Sequence, residues 1–211
     1  MTDKRTTVFI IDDDPSARKG LTRLVRAAGM SVEAYGSAHE FLERPHYDGY
    51  GCIILDVKMP GMDGLELQAE LLKAGYSLPV IFVSGHADVP IAARAMKKGA
   101  IDFLTKPVDR DQLLKAIYDS LARDRENRKA LSDKKKVRAL LATLSPREHD
   151  VLTFVIAGML NKQIAYELGI AEDTVKIHRG RMMRKMKVES VAELVRLTEL
   201  VGVKPAEAGN Q

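Results

Sequence analysis

At 211 residues the chain is long enough for two small domains, and its 45% hydrophobic and 29% charged residues exclude a disordered or fibrous polypeptide. The net charge of +4 divides unevenly: residues 1–122 carry 15 Lys/Arg against 17 Asp/Glu, residues 123–211 carry 18 against 12. An acidic half suited to a cation is thus joined to a basic half suited to a polyanion.

No apolar run approaches the ~18 residues of a membrane helix, and Met1 to Arg5 are polar, without the apolar stretch of a secretory leader. A cytoplasmic protein with no membrane association is expected. Cys52, the single cysteine, sits in the run Cys52-Ile53-Ile54-Leu55. It rules out an intrachain disulfide and reads as a buried core thiol.

In chain order, Val8–Ile11, Cys52–Leu55 and Val80–Val83 are continuous apolar runs of the kind found in buried parallel strands, with weaker candidates at Val32–Tyr35 and Ile101–Leu104. Helical patterns alternate with them. The first, Pro15–Ala28, has Asp14 as N-cap and is followed by Gly29. The second opens at Ser37 with capping-box spacing to Glu40. Others cover Leu65–Lys73, Pro90–Lys98 and a stretch from Asp109 past Leu121. Five βα units in succession predict an α/β domain, a doubly wound parallel (βα)5 sheet with right-handed crossovers.

Ligands of such sheets lie at the carboxyl ends of the strands. The residues at those ends are Asp12, Asp13 and Asp14, then Asp56, Ser84 and Lys106. With Asp14 spent on capping, the remaining carboxylates repel one another unless a hard cation sits among them. Mg²⁺ fits, and the lysine and hydroxyl supply donors to phosphate oxygens, so the set predicts a Mg²⁺-dependent phosphoryl-transfer site.

The strings Ile10-Ile11-Asp12-Asp13-Asp14, Leu55-Asp56-Val57-Lys58-Met59-Pro60-Gly61-Met62-Asp63-Gly64, Val83-Ser84-Gly85-His86 and Lys106-Pro107 resemble the receiver domains of two-component response regulators. The resemblance implies that Asp56 accepts phosphate from a sensor histidine kinase. It assigns Asp12, Asp13, Asp56 and the Lys58 carbonyl to Mg²⁺, Lys106 and Ser84 to the phosphoryl oxygens, and Ser84 with Phe103 to a two-state switch. It further implies a cis Lys106–Pro107 bond, and a responsive dimer face on the fourth helix, fifth strand and fifth helix. Lys58 and His86 flank the acceptor and are candidates for tuning phosphate lifetime.

Arg123–Arg138 is charged, contains Lys134-Lys135-Lys136 and lacks Gly and Pro, which predicts a helical linker over 123–142 that continues the fifth helix. The rest is helical in pattern: Ser145-Pro146-Arg147-Glu148 starts one helix, Asn161–Leu168 closed by Gly169 is a second, Glu172–Met186 a third and Ser190–Val201 a fourth. Two short helices around a tight glycine turn, the basic one second, suggest an all-α helix-turn-helix domain.

Leu144-Ser145-Pro146-Arg147-Glu148, Asn161-Lys162-Gln163-Ile164-Ala165, Leu168-Gly169-Ile170 and Thr174-Val175-Lys176-Ile177-His178 are similar to the LuxR-type (NarL/FixJ-type) DNA-binding domain. By position, the resemblance directs Lys176, Ile177 and Gly180 to base edges, and Arg179, Arg181, Arg184, Lys185, Asn161 and Lys162 to the phosphate backbone. Two departures stand out. Ala171 replaces the usual Ser/Thr cap, and Gly180 offers no side chain to the groove.

The reading is a receiver over 1–122, a linker over 123–142 and a DNA-binding domain over 143–211. Together they make a phosphorylation-controlled transcription factor, not an enzyme, that dimerises on phosphorylation and acts at promoter DNA with RNA polymerase. The alternative is a haloacid-dehalogenase-type phosphohydrolase using Asp12. It leaves Asp56 and the basic half unexplained, and finds Pro107 and Val108 where an acidic pair is needed.

Overall fold

The apolar runs become strands β1 (Thr6–Ile11), β2 (Ser31–Tyr35), β3 (Tyr50–Asp56), β4 (Val80–Ser84) and β5 (Asp102–Thr105) of one parallel sheet, in the order β2-β1-β3-β4-β5. The structure is a computed structural model and describes residues 6–45, 47–85 and 89–207. His86, expected beside the acceptor, falls outside the described residues.

Helices α1 (Pro15–Ala27), α2 (Ala38–Leu42), α3 (Gly64–Lys73), α4 (Val89–Lys97) and α5 (Arg110–Leu141) connect and extend the strands. Successive strand side chains point to opposite faces, so the sheet carries two cores. On one face Phe9, Ile11, Ile53, Leu55 and Phe82 meet Phe41 of α2, Leu67 and Leu71 of α3 and Ala95 of α4. On the other Val8, Ile10, Ile54, Ile81 and Val83 meet Leu21 and Val25 of α1 and Leu113 and Ile117 of α5. Covering both faces explains why the three inner strands read as unbroken apolar runs, whereas the edge strand β2 is largely exposed. Cys52 is buried in the second core, and burial pushes its thiol up to about 12.

The caps follow the sequence with one difference. Asp14 caps α1 by accepting from the Ser16 N–H at 2.8 Å. Ser37 caps α2 by accepting from Glu40, but the Glu40 carboxylate does not close a capping box. It accepts instead from the Gly36 N–H at 2.6 Å, one residue earlier. That choice ties the end of β2 to the start of α2.

Contacts divide the chain into two compact units, Met1–Arg128 and Lys129–Gln211, with α5 running through the division. The predicted boundary at residue 122 lies a turn and a half before that division. Asp124, fully buried, accepts from the Gly51 N–H at 3.0 Å and from Arg128 Nε at 3.0 Å, and Arg128 also donates to the Asp48 carbonyl at 3.1 Å. These bonds attach residues 124–128 to the first unit. Lys134, Lys135 and Lys136 are exposed.

In the second unit Val137 of α5 enters a core with α6 (Pro146–Ile156), α7 (Asn161–Leu168), α8 (Glu172–Met186) and α9 (Val191–Val201). Ser145 and Glu148 form a complete capping box at the start of α6. Gly169 closes α7 at φ +63°, a left-handed conformation that glycine adopts without strain. Ala171 precedes α8 without a side-chain cap bond, as its methyl group dictates, and Glu172 and Asp173 occupy the first turn, where the helix dipole favours negative charge.

Candidate functional site

Parallel register brings the strand ends together. Ile11 lies opposite Leu55, Asp56 opposite Val83 and Ser84 opposite Thr105, so Asp12, Asp56, Ser84 and Lys106 collect at one edge of the sheet. Lys106 reaches across it: its Nζ donates to Asp56 Oδ2 at 2.7 Å and stands 2.8 Å from Asp12 Oδ2. The Lys106–Pro107 bond that follows is cis, as expected.

Asp12 is fully buried and Asp56 nearly so, while Asp13 faces solvent. Burial, with the neighbouring Asp56 charge, holds the Asp12 carboxyl above the usual carboxylate range despite the opposing pull of Lys106. Burial works against the Lys106 ammonium, but the bonds and charges of Asp12 and Asp56 outweigh it and raise its pKa.

One oxygen from each of Asp12, Asp13 and Asp56 lies within 4.8 Å of the others. Asp12 Oδ2 is buried, with Lys106 Nζ as its ion-pair partner at 2.8 Å and no further hydrogen bond among the described residues. A buried carboxylate oxygen with free lone pairs, beside two further carboxylates and a single ammonium, is the donor set that a hard divalent cation takes. The pocket therefore fits a metal ion.

The remaining pocket residues surround this set. The Lys58 N–H donates to Asp56 Oδ1 at 3.3 Å, bringing the backbone after the acceptor back toward its carboxylate, and the Lys58 side chain is exposed. Ser84 is buried, and its carbonyl accepts from the Lys106 N–H at 2.7 Å. Phe103 is half-buried at the margin of the first core, its ring 6.3 Å from that of Phe82. Gly64 fits tightly: a Cβ there would meet the Asp56 carbonyl and, at 3.1 Å, the Phe82 ring.

In the second unit, α8 exposes Lys176, Ile177, Gly180, Arg181 and Arg184. Val175, Met182 and Met186 turn inward and fix the helix to its core. Lys176 pairs with Asp173 at 3.0 Å and Glu172 at 3.7 Å on its own helix. Arg184 donates to the Gly180 carbonyl at 3.3 Å. Arg179 donates to Asn161 Oδ1 at 2.9 Å, joining α8 to the start of α7, where Lys162 is exposed. Lys185 is engaged inside the unit: its Nζ donates to Glu148 Oε2 at 2.5 Å and to the Thr143 carbonyl at 2.9 Å.

Sequence reasoning did not find the buried partner role of Glu148, the Asp124–Arg128 attachment or Arg18, whose guanidinium donates to the Asp12 carbonyl. The i,i+4 spacing of Asp124 and Arg128 was a usable signal. The others join residues from separate elements or use a backbone acceptor, and leave no local pattern.

Residues 8–118 match the response regulator receiver domain, and residues 142–198 match the bacterial regulatory proteins of the luxR family. Over 199 residues the chain is 45% identical to nodulation protein W of Bradyrhizobium diazoefficiens, covering 94% of this chain and 88% of that protein. It is 44% identical over 200 residues to the transcriptional regulatory protein FixJ of Azorhizobium caulinodans, covering 95% of each. Among solved structures, the response regulator StyR aligns with a TM-score of 0.82 and 46% identity, over 92% of this chain and 98% of that one. The chain belongs to the two-component response regulators, transcription regulators in which a receiver domain is joined to a LuxR-type DNA-binding domain.

Proposed function

We propose that the protein is a cytoplasmic transcription factor switched by phosphorylation of Asp56 from a sensor histidine kinase. The observation that carries the reading is the bridge from Lys106 Nζ to Asp56 Oδ2 and the buried Asp12 Oδ2, at 2.7 and 2.8 Å, with a carboxylate oxygen of Asp13 within 4.8 Å of both carboxylates.

An Asp56 carboxylate oxygen attacks the phosphorus of a phosphohistidine. A P–O bond forms as the P–N bond breaks, and the released imidazole takes a proton. Such transfer depends on in-line placement and on neutralising charge at the equatorial oxygens. Asp12, Asp13, Asp56 and the Lys58 carbonyl would hold Mg²⁺, which supplies that neutralisation when bound. Lys106, freed from Asp56 Oδ2, pairs with a phosphoryl oxygen, and the Ser84 hydroxyl donates to another. Drawing Ser84 toward the phosphate opens room that the half-buried Phe103 ring turns into, a two-state repacking biased by the new contacts.

The readout is a homodimer of the chain on promoter DNA, acting with RNA polymerase. Lys176, Ile177 and Gly180 face base edges. Lys162, Arg181 and Arg184 meet phosphates, and Arg179 with Asn161 sets the start of α7 against the backbone. Lys185 braces the helix from within through Glu148, with its exposed side left to the backbone.

The test is Asp56→Asn, followed by sedimentation and salt-titrated DNA binding with and without a small phosphodonor. Phosphodonor-dependent dimerisation and tighter DNA binding should both vanish. Full stimulation persisting in the variant rejects the switch.

A further inference from the structure

We infer that Arg18, on α1, is a positioning residue for the metal pocket, holding the Asp12 backbone so that its carboxylate stays aimed at the bound cation. The inference rests on the proposed Mg²⁺-dependent role of that pocket.

Asp12 lies just beyond β1, where the sheet runs out. Its N–H still donates to the Tyr35 carbonyl at 3.2 Å, the last rung toward β2. Beyond Tyr35 the chain leaves the sheet, and among the described residues no backbone N–H donates to the Asp12 carbonyl. A buried carbonyl without a partner is costly, and the Arg18 guanidinium fills the gap. A Cβ on Gly36 would lie 3.7 Å from the same guanidinium nitrogen, which places Arg18 at the junction of β1, β2 and α2.

The Arg18 backbone is fixed on α1. Its N–H donates to the Asp14 carbonyl at 3.0 Å, and its carbonyl accepts from Thr22 Oγ1 at 2.7 Å. Asp12 is thereby held through N–H, carbonyl and Oδ1, the last accepting from the Asp14 N–H at 3.0 Å, while Oδ2 faces the pocket and Lys106 Nζ at 2.8 Å. Mg²⁺ demands near-ideal octahedral placement of its ligands. A carboxylate buried beside Asp56 has every electrostatic reason to turn away, so what restrains its backbone sets how much of the metal's binding free energy is retained.

The side chain also carries positive charge, which opposes a cation. The two effects have opposite signs, and the experiment separates them. Arg18→Met keeps the apolar stem and removes donor and charge; Arg18→Lys keeps a donor and the charge. Mg²⁺ affinity of the full chain is read by amide NMR shifts, folding by thermal melts, and the Mg²⁺ dependence of phosphorylation by a small phosphodonor in parallel.

Arg18→Met should weaken Mg²⁺ about tenfold, as loss of an outer-shell partner does, and Arg18→Lys should recover most of it. The limiting phosphorylation rate at saturating Mg²⁺ should match that of the unmodified chain. Unchanged or tighter Mg²⁺ binding in Arg18→Met overturns the positioning role. So does a lowered limiting rate with unchanged Mg²⁺ affinity. Should Arg18→Met fail to fold, Arg18→Gln, which removes the charge and shortens the reach to the Asp12 carbonyl, decides in its place: a folded Arg18→Gln that binds Mg²⁺ as tightly as the unmodified chain overturns the role. Failure of the unmodified chain to bind Mg²⁺ would instead bring down the phosphorylation reading itself.

Discussion

Replacing Asp124 with alanine tests whether the first turns of the linker belong to the receiver. The carboxylate is fully buried and accepts two bonds, from the Gly51 N–H and from Arg128 Nε. Without it the Gly51 N–H loses its acceptor, at about 1–3 kcal/mol. Arg128 loses a charge-assisted bond, but its side chain is 22% exposed and keeps the Asp48 carbonyl, so water recovers part of that loss. Removing the buried charge returns some desolvation as well. The net is about 2–4 kcal/mol, near the lower end for breaking a buried ion pair. For a unit ending at Arg128, an unfolding entropy of about 2.1 cal/mol/K per residue converts this to a fall of roughly 8–15 °C in its melting temperature. Scanning calorimetry of the full chain should show the receiver transition moving while that of the DNA-binding unit stays in place. A double-mutant cycle with Arg128→Ala should show coupling above about 1 kcal/mol. A shift under about 3 °C would mean that the helix beyond residue 122 is linker and not receiver, and the reasoning would be wrong.

Gly64→Ala drives a Cβ into the Asp56 carbonyl and the Phe82 ring, so it should cost the receiver about 1–3 kcal/mol and slow phosphate uptake by displacing the acceptor; a melting temperature within about 2 °C of the unmodified chain would contradict the contact. Glu148 is held below the usual carboxylate range, first by Lys185 and then by the Ser145 N–H. A lowered folded value means its contribution is present above the ordinary value of about 4.3 and is lost as pH falls through the folded one. Melts of the DNA-binding unit should therefore decline with acidification below that point, and Lys185→Met should lower the neutral-pH melting temperature and flatten the decline; an identical pH profile in the variant would refute the pairing. Arg181→Ala should weaken binding to every DNA sequence alike and reduce the slope of log affinity against log salt by about 1, whereas Lys176→Ala should cost about 1–3 kcal/mol in a sequence-dependent way. Quantitative binding over a salt series on two unrelated duplexes separates them, and an unchanged slope for Arg181→Ala would remove it from the phosphate contacts.

Most of the candidate site was legible because its chemistry sits at topologically forced positions. Once Val8–Ile11, Cys52–Leu55 and Val80–Val83 are parallel strands, their carboxyl ends share an edge, and Asp12, Asp56, Ser84 and Lys106 have nowhere else to be. Caps were legible at Asp14 and Ser145, where donor and acceptor are three residues or fewer apart, whereas the equally local Asp63–Glu66 box and the Ser190 cap of α9 went unread. Glu40 shows the limit: its spacing to Ser37 permits a capping box, yet the chain geometry at the end of β2 presents the Gly36 N–H first.

Composition and periodicity by themselves determined the two-part architecture, the alternation of strands and helices, the acidic strand ends and the basic second helix, because each is a local or periodic property of the chain. Tertiary structure alone decided that Asp124 belongs to the receiver, that Lys185 turns back to Glu148 and that Arg18 completes the backbone of Asp12. Those bonds depend on which unsatisfied donor or acceptor is left at a given place once the chain has folded, and that is settled by neighbours from other elements, 73 residues away in the case of Gly51 and Asp124.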